Sequence, residues 1–237
     1  MTEHKLLKYI GRRFDPPTGE KLLTPIVRTD SKGKYILRQS IENNIKWWFQ
    51  SGRTSGQGLD WLRENLEAKI GHLDNISLYV WLGTCDLTEY NFPYITLRSN
   101  TSELVQKIVE NFQEIPEILQ KYPGYKLTFL EIPHYSIYKW NKSHKHPDIN
   151  KCLAEDDTLA NHVAEINDHI SYINNNLNTR SSGVSLDILH RINSKKKHKS
   201  AKDQYNYQLY LDEIPPSRNL ARVWLRKISL KVKIDCW

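Results

Sequence analysis

The chain has 237 residues, and its 34 lysines and arginines outnumber its 27 acidic residues, which gives a formal net charge of +7. Its mean hydropathy of -0.63 and the lack of an apolar run of about 18 residues in the sequence exclude a membrane-spanning helix. Three cysteines are too few for a disulfide scaffold and favour a reducing, intracellular compartment, cytoplasmic or nuclear.

Residues 1–20 are predicted to be a poorly ordered leader or the edge of a longer parent sequence. They contain Arg12-Arg13 and Pro16-Pro17, and clustered charges with adjacent prolines give little to pack. Residues 1–5 are charged and no long apolar stretch follows them, unlike a secretory signal. The remaining residues, 21–237, suffice for one large domain.

The first predicted strand begins at Leu22 and ends in a polar turn, Asp30-Ser31-Lys32-Gly33. A helix over residues 35–44 and a second strand over 45–49 follow. Open α/β sheets place their ligands at the carboxyl ends of strands, which makes Ser31 the first candidate for chemistry. The simpler alternative is that Asp30-Ser31 only caps the following helix, since both residues are good N-caps.

The rest of the sequence alternates helical and strand patterns. Helices are predicted over residues 59–73, 101–122 and 159–177, strands over 76–82 and 126–132, a strand or loop over 183–192, and a last helix opening at 212–217. Such alternation predicts a three-layer α/β/α sandwich with a mainly parallel sheet of about five strands.

The turns that follow these elements resemble the conserved blocks of the SGNH or GDSL family of serine hydrolases, from about Leu22 to Ile228. Asp30-Ser31 matches the block that holds the nucleophile, Gly52 is the best match to the oxyanion glycine, and Gly83-Thr84-Cys85-Asp86 is similar to Gly-x-Asn-Asp. Asp212-Glu213-Ile214-Pro215 stands where the last block reads Asp-x-x-His. The tract 220–225 also looks like SGNH-type domains of invertebrate mobile elements.

Two departures from the family pattern bear on activity. Cys85 replaces the asparagine that donates to the oxyanion, and Pro215 replaces the general base. Loss of one oxyanion donor costs on the order of 10²–10³ in rate. Loss of a triad histidine costs about 10⁶ in subtilisin. Carrying both losses, a hydrolase would be nearly inert unless another base reached the site.

The histidines offer few replacements for that base. His134, just past the strand over 126–132, is the candidate substitute base, because its loop should open on the same edge as Ser31. Asp187-x-x-His190 also spells the last block, but it precedes a lysine run and is interpreted as a coincidence. His144, His146, His162 and His169 are interpreted as exposed polar positions, so no metal site and no cofactor is expected.

The resemblance implies hydrolysis of a small ester. Ser31 would attack, Gly52 and the Ser31 amide would stabilise the oxyanion with a weakened arm at Cys85, and Asp212 would orient a base. The predicted function is thus a serine ester hydrolase or a catalytically weakened descendant. The alternative is a non-catalytic binding module on the same fold that could contact nucleic acid, which Pro215, Cys85 and the basic balance favour. The basic run over 195–199 is interpreted most simply as part of an exposed loop.

Overall fold

The computed structural model describes residues 1–40, 44–73, 75–190, 204–211 and 214–237, apart from the side chains of His190 and Gln204. The strands are β1 Thr24–Thr29, β2 Lys46–Phe49, β3 Ile76–Trp81, β4 Thr88–Asn91, β5 Tyr94–Leu97, β6 Tyr125–Phe129, β7 Leu189–His190 and β8 Gln204–Tyr205. The helices are α1 Glu3–Ile10, α2 Lys32–Leu37, α3 Ser55–Ile70, α4 Thr84–Leu87, α5 Ser102–Leu119, α6 Ile137–Ser143, α7 Ile149–Asn176 and α8 Arg218–Cys236.

The main sheet has four parallel strands in the order β2-β1-β3-β6, which confirms the predicted mainly parallel α/β architecture. The chain steps from β1 to β2 on one side and then to β3 on the other, so the order reverses between β1 and β3. In doubly wound sheets this switch point opens a crevice outside the carboxyl ends of the strands. The fold therefore provides one preferred place for a ligand.

Alternate residues of the central strands enter the two separate cores that make the three layers. Ile26 and Leu78 belong to the core formed with α3, α5 and α7. Val27, Tyr79 and Trp81 belong to the core formed with α1 and α8. Because both faces of the strands are covered, β3 is buried along its whole length.

The segment 183–192, predicted to be a fifth strand or a loop, does not join the main sheet in its described part, residues 183–190. Ser185–Asp187 is a short 3-10 helix, and β7 pairs antiparallel with β8 in a separate two-stranded sheet. The main sheet in the described residues thus has four strands instead of about five. The apolar pattern of this segment comes from Val184 and Ile188, which are buried in the core beneath α8.

Helix α2 begins earlier and ends earlier than the predicted helix over 35–44, of which residues 41–43 lie outside the described residues. It starts directly after Ser31 because Gly33 allows a close approach to the sheet. A Cβ at Gly33 would collide with the Thr29 side chain and would come within 3.0 Å of the Phe49 Cβ. Glycine here seats the helix on the ends of β1 and β2.

Part of the predicted poorly ordered leader is helical. Helix α1 is capped by the Thr2 side chain, and Leu6 is fully buried in the core that contains α8. Arg226 of α8 donates to the Ile10 carbonyl at 2.6 Å. The sequence pattern missed this helix because its one fully buried residue depends on a partner at the far end of the chain.

Helix α7 also differs from its prediction, since it begins at Ile149 and not at 159. The Asp148 side chain accepts a hydrogen bond from the Lys151 N–H at 3.1 Å and caps the helix there. Among the described residues, each helix is too short or too polar to cross a lipid bilayer, as the sequence predicted.

Candidate active site

A cavity of about 330 Å³ lies at the carboxyl edge of the sheet, at the β1/β3 switch point. Asp30, Ser31 and Lys32 enter it from the end of β1, Thr84 from the turn after β3, and Pro133 from the turn after β6. Three parallel strands thus deliver the turns at their carboxyl ends to one space, and two of these turns bring polar residues, which is the arrangement expected of a binding crevice in this class of sheet.

Most of the remaining wall is aromatic or otherwise apolar. The aromatic residues of the wall are Tyr35, Tyr90, Tyr135, Trp140, Tyr210 and Trp224. Pro215 and Pro216, which precede α8, complete one side. A few polar groups in a mostly apolar cavity are typical of small-molecule sites.

The Ser31 hydroxyl is not used as a helix cap. Asp30 takes that role, since its Oδ1 accepts the Lys32 backbone N–H at 2.9 Å. The Ser31 side chain makes no cap hydrogen bond and has no hydrogen-bond partner among the described residues. Ser31 is half-buried and lines the cavity, and its hydroxyl takes no part in holding the described part of the fold together.

Lys32 is the functional candidate that sequence reasoning missed. Its ammonium donates to Asp30 Oδ2 at 2.5 Å and to Thr84 Oγ1 at 2.6 Å, and it lies 5.5 Å from the centroid of the Trp81 ring. The side chains are 10% (Lys32) and 1% (Asp30) exposed. A buried ammonium needs such a carboxylate, because an unpaired charge away from water is costly.

The turn after β3 depends on Gly83, which has a φ of 109° and opens α4. A Cβ there would collide with the Ile132 side chain, so glycine is required for both conformation and space. The turn is anchored by Asp86, which accepts the Ser55 N–H and the Ser55 hydroxyl, each at 2.7 Å. Asn111 donates to the same hydroxyl at 2.8 Å. This network fixes the start of α3 against the turn.

Burial also changes the protonation of this turn. Desolvation raises the pKa of Asp86, although the hydrogen bonds from Ser55 oppose that shift. Desolvation raises the pKa of the Cys85 thiol to about 12, and the neighbouring Asp30 carboxylate adds to the increase. The thiol is therefore neutral at physiological pH and unsuited to act as a nucleophile. Cys85 itself does not line the cavity.

The other predicted oxyanion group, Gly52, lies on the surface. It follows β2 with a φ of 74°, and a Cβ there would meet nothing within 4 Å. It does not line the cavity at Ser31. Its oxyanion role, like that of Cys85, stays a prediction.

The segment before α8 returns to the cavity, where Ile214, Pro215 and Pro216 line the wall. The Pro215 carbonyl accepts the Leu211 N–H at 2.7 Å, and Tyr210 pairs with Pro216 as an isolated bridge. The position corresponding to the family base therefore faces the cavity with a ring that cannot accept a proton. Asp212 lies outside the described residues, and its role stays a prediction.

His134, the candidate substitute base, is held by other contacts. Its ring stacks on Tyr205 with centroids 4.1 Å apart, and its backbone carbonyl accepts the Tyr210 hydroxyl at 2.6 Å. Burial lowers the pKa of His134 to about 4. The ring is neutral at pH 7, but His134 does not line the cavity that contains Ser31.

The histidines considered for a metal are dispersed. His144 stacks on Trp140 and His146 packs edge-on against Tyr94, whereas His162 and His169 lie on α7. In the ranges that the structure describes, no group of three or more histidine, cysteine or acidic residues could hold a metal ion. The basic run over 195–199 lies outside those ranges.

No protein-family model and no curated protein matches the chain. Solved structures do match. A GDSL-like lipase from Bacteroides thetaiotaomicron aligns with a TM-score of 0.60 at 13% identity, covering 98% of this chain and 97% of the lipase. A proposed acylhydrolase from Bacteroides fragilis gives 0.59 at 12% identity, covering 97% and 95%. The acetyl xylan esterase AlAXEase gives 0.52 at 14% identity, covering 87% and 98%.

At these identities the matches establish architecture and leave catalysis open. They cover 87% to 98% of each chain, so the shared architecture extends over most of this chain and is not that of a fragment. The narrower likeness to domains of mobile elements stays a prediction. The chain therefore has the three-layer α/β fold of the GDSL-like hydrolases, as its turns indicated.

Proposed function

We propose that this protein is a serine ester hydrolase of the SGNH type with weakened activity, in which Ser31 is the nucleophile. The observation that carries the proposal is the Ser31 hydroxyl at the β1/β3 switch point, lining a cavity and free of the helix cap. The solved structures that share this fold include a protein described as a lipase and one described as an acetyl xylan esterase, which supports an ester as substrate.

The chemistry divides hydrolysis into two steps. Ser31 Oγ attacks the ester carbonyl and loses its proton, the alcohol leaves with a proton, and an acyl ester of Ser31 remains. Water then attacks that ester and releases the carboxylic acid. The first step is slow here because Pro215 cannot take the serine proton, and loss of a triad histidine costs about 10⁶ in the measured case. Asp212 is retained in the proposal as the carboxylate that would orient a base.

Labelling with a fluorophosphonate, followed by mass spectrometry of the intact chain and its peptides, tests the nucleophile. We expect one slow adduct on Ser31, and none in Ser31→Ala. We expect Pro215→His to hydrolyse p-nitrophenyl acetate on the order of 10² faster than the wild type, since it restores an imidazole beside a serine. Pro216→His, one position further along the same wall, is the matched control and should gain nothing.

Adding Cys85→Asn to Pro215→His tests the oxyanion role predicted for position 85: if that residue donates to the oxyanion, an amide in place of a neutral thiol should raise the rate by about tenfold or more, and otherwise the rate should not change. Adduct formation elsewhere on the chain, or unchanged labelling in Ser31→Ala, would contradict the nucleophile. Equal gains from Pro215→His and Pro216→His would contradict the assignment of position 215.

The alternative prediction of a non-catalytic binding module is favoured by one observation, the placement of Pro215 in the cavity wall. In that case neither the wild type nor Pro215→His would be labelled or turn over esters. Contact with nucleic acid would then appear as binding of single-stranded RNA or DNA that weakens steeply with added salt. The absence of such binding at low salt would remove the nucleic-acid prediction.

A further inference from the structure

We infer that the cavity at Ser31 binds a small organic monocarboxylate, with its carboxylate at Lys32 and Thr84 and its flat apolar body against the aromatic wall. The inference deepens the proposed function, since it names a ligand class for the same site, and rests on it only in taking Ser31 to mark the reacting end of the cavity. Binding itself requires no turnover.

The first step is the count of hydrogen-bond donors on the polar residues that line the cavity. A lysine ammonium has three N–H donors and no acceptor. Lys32 gives one N–H to Asp30 and one to Thr84, so one remains. Thr84 Oγ1 necessarily accepts from that ammonium, which leaves its own hydroxyl proton to donate elsewhere. The Ser31 hydroxyl adds a further donor with no partner among the described residues.

The second step is the state of the one carboxylate at the same end. Asp30 Oδ2 accepts the Lys32 ammonium, and Asp30 Oδ1 accepts the Lys32 backbone N–H. Both carboxylate oxygens of Asp30 therefore already accept hydrogen bonds within the protein, whereas Lys32, Thr84 and Ser31, which carry the remaining donors, line the cavity. A ligand that satisfies this end must bring acceptor oxygens.

The third step is charge. A ligand oxygen in contact with the ammonium would lie about 3 Å from Lys32 Nζ but about 4 Å or more from the Asp30 oxygens, so attraction exceeds repulsion in Coulomb's law. Among the described residues that line the cavity, Lys32 is the only cation. One ammonium N–H and two hydroxyl donors offer three hydrogen bonds to a single carboxylate, whereas a dianion such as phosphate would bring two negative charges next to Asp30 in an apolar space.

The fourth step is the shape and chemistry of the rest of the cavity. Its volume of about 330 Å³ is at the small end of ligand sites. Tyr35, Trp140, Tyr210 and Trp224 contribute ring surfaces to the wall. Aromatic rings pack well on flat apolar groups by offset or edge-to-face contact. An aryl or arylalkyl monocarboxylate therefore matches the cavity, with its carboxylate at the polar residues and its ring against the aromatic wall.

The test measures equilibrium binding of phenylacetate to the full chain by isothermal titration calorimetry, with phenylacetamide as the neutral isostere. We expect phenylacetate to bind about tenfold tighter than the amide, because a charge-assisted hydrogen bond is the stronger kind. Lys32→Met should abolish that preference, and Thr84→Val should reduce it by about threefold. Lys34→Met is the matched control, since Lys34 is an exposed lysine on the same helix α2, and it should change nothing.

The outcomes separate the inference from the proposed function. Phenylacetate binding that depends on Lys32, without fluorophosphonate labelling of Ser31, supports the inference and overturns the hydrolase. Labelling of Ser31 with equal affinity for phenylacetate and phenylacetamide overturns the inference and leaves the hydrolase standing. If Lys32→Met fails to fold, the inference is still tested by the affinities of the wild type for phenylacetate and phenylacetamide and by the Thr84→Val variant. Equal loss in Lys34→Met and Lys32→Met overturns the assignment.

Discussion

The two ends of the parallel sheet each hold a buried aspartate paired with lysine, but the pairs are completed differently. Near the amino end, Asp235 Oδ1 accepts from Lys126 at 2.6 Å and from Lys231 at 2.7 Å, while Oδ2 accepts the Tyr79 hydroxyl at 2.7 Å. At the carboxyl end, Asp30 pairs with a single lysine, Lys32. Counted over the described residues, three side-chain groups donate to Asp235 and one side-chain group donates to Asp30.

The difference shows how the same chemistry can serve structure or binding. At Asp235 the carboxylate accepts hydrogen bonds from all three donors, so the cluster ties α8 to β3 and β6. Both carboxylate oxygens are therefore satisfied within the cluster. At Asp30 the donors outnumber the acceptors, and the excess borders a cavity. A buried ion pair is thus weak evidence for a site by itself. Hydrogen-bond donors that lack an acceptor and border an apolar cavity are stronger evidence for a ligand site.

Removing the carboxylate at the amino end should produce the largest loss of stability. In Asp235→Ala, two ammonium groups and one phenol lose their acceptor, and we expect the free energy of unfolding to fall by about 3 kcal/mol. Lys126 is about a third exposed, and its residual hydration limits the loss. Urea unfolding measures it. Asp168→Asn, an exposed acid on α7, should stay within about 0.5 kcal/mol, and a similar small loss in Asp235→Ala would make the cluster dispensable.

The turn glycines at the carboxyl end give the next largest effect. Gly83→Ala combines a positive φ with a collision against Ile132, and should cost about 2 to 3 kcal/mol of unfolding free energy. Gly52→Ala has the same kind of φ but open space, and should cost about 1 kcal/mol. Urea unfolding of both variants measures the two losses of unfolding free energy. Equal costs would mean that the contact with Ile132 does not hold the turn that presents Thr84.

Protonation of His134 gives a third effect, which depends on pH. Its pKa of about 4 in the folded state is below the unfolded value of 6.5, because burial disfavours the charged ring. Between these values the unfolded state binds more protons, so stability is lost as the pH falls from 6.5 to 4. Between pH 7 and pH 5 this amounts to about 2 kcal/mol.

In His134→Phe the stacking partner of Tyr205 is kept and the titration is removed. The loss of unfolding free energy between pH 7 and pH 5 should therefore shrink by about 2 kcal/mol relative to the wild type. His72→Gln, a change at an exposed histidine, should keep the wild-type dependence. An unchanged loss in His134→Phe would show that the ring is accessible, which would revive it as a base.

The parts of this molecule that the sequence predicts are those with local causes. The apolar runs at β1 and β3 end in turns whose residues have local reasons to be there, such as the positive φ at Gly83 and the Asp30 cap. The alternation of strands and helices follows from those runs. The topology then requires the turns after β1 and β3 to share an edge, so the position of Ser31 at the switch point needs no further information.

Features with distant causes are the ones that the sequence left out. A lysine in a polar turn is normally exposed, and the burial of Lys32 depends on Thr84, 52 positions away. The aromatic wall is assembled from Tyr90, Trp140 and Trp224, which belong to three separate elements. The position of Gly52 outside the cavity wall has a similar origin, since the family pattern fixes its order in the chain but not its distance from the cavity.

The smallest expected effect separates the two lysine clusters most directly. In Lys231→Met, Asp235 keeps Lys126 and Tyr79 as donors, so the free energy of unfolding should fall by only about 1 kcal/mol. Phenylacetate affinity should not change, because Lys231 lies at the other end of the sheet. Lys32→Met removes the single lysine of Asp30 and should lose both stability and the preference for the acid over the amide. If Lys231→Met weakened phenylacetate binding as much as Lys32→Met does, the affinity would depend on the overall charge of the protein and not on the donors at Lys32. The difference between the Asp235 and Asp30 clusters would then not explain ligand binding.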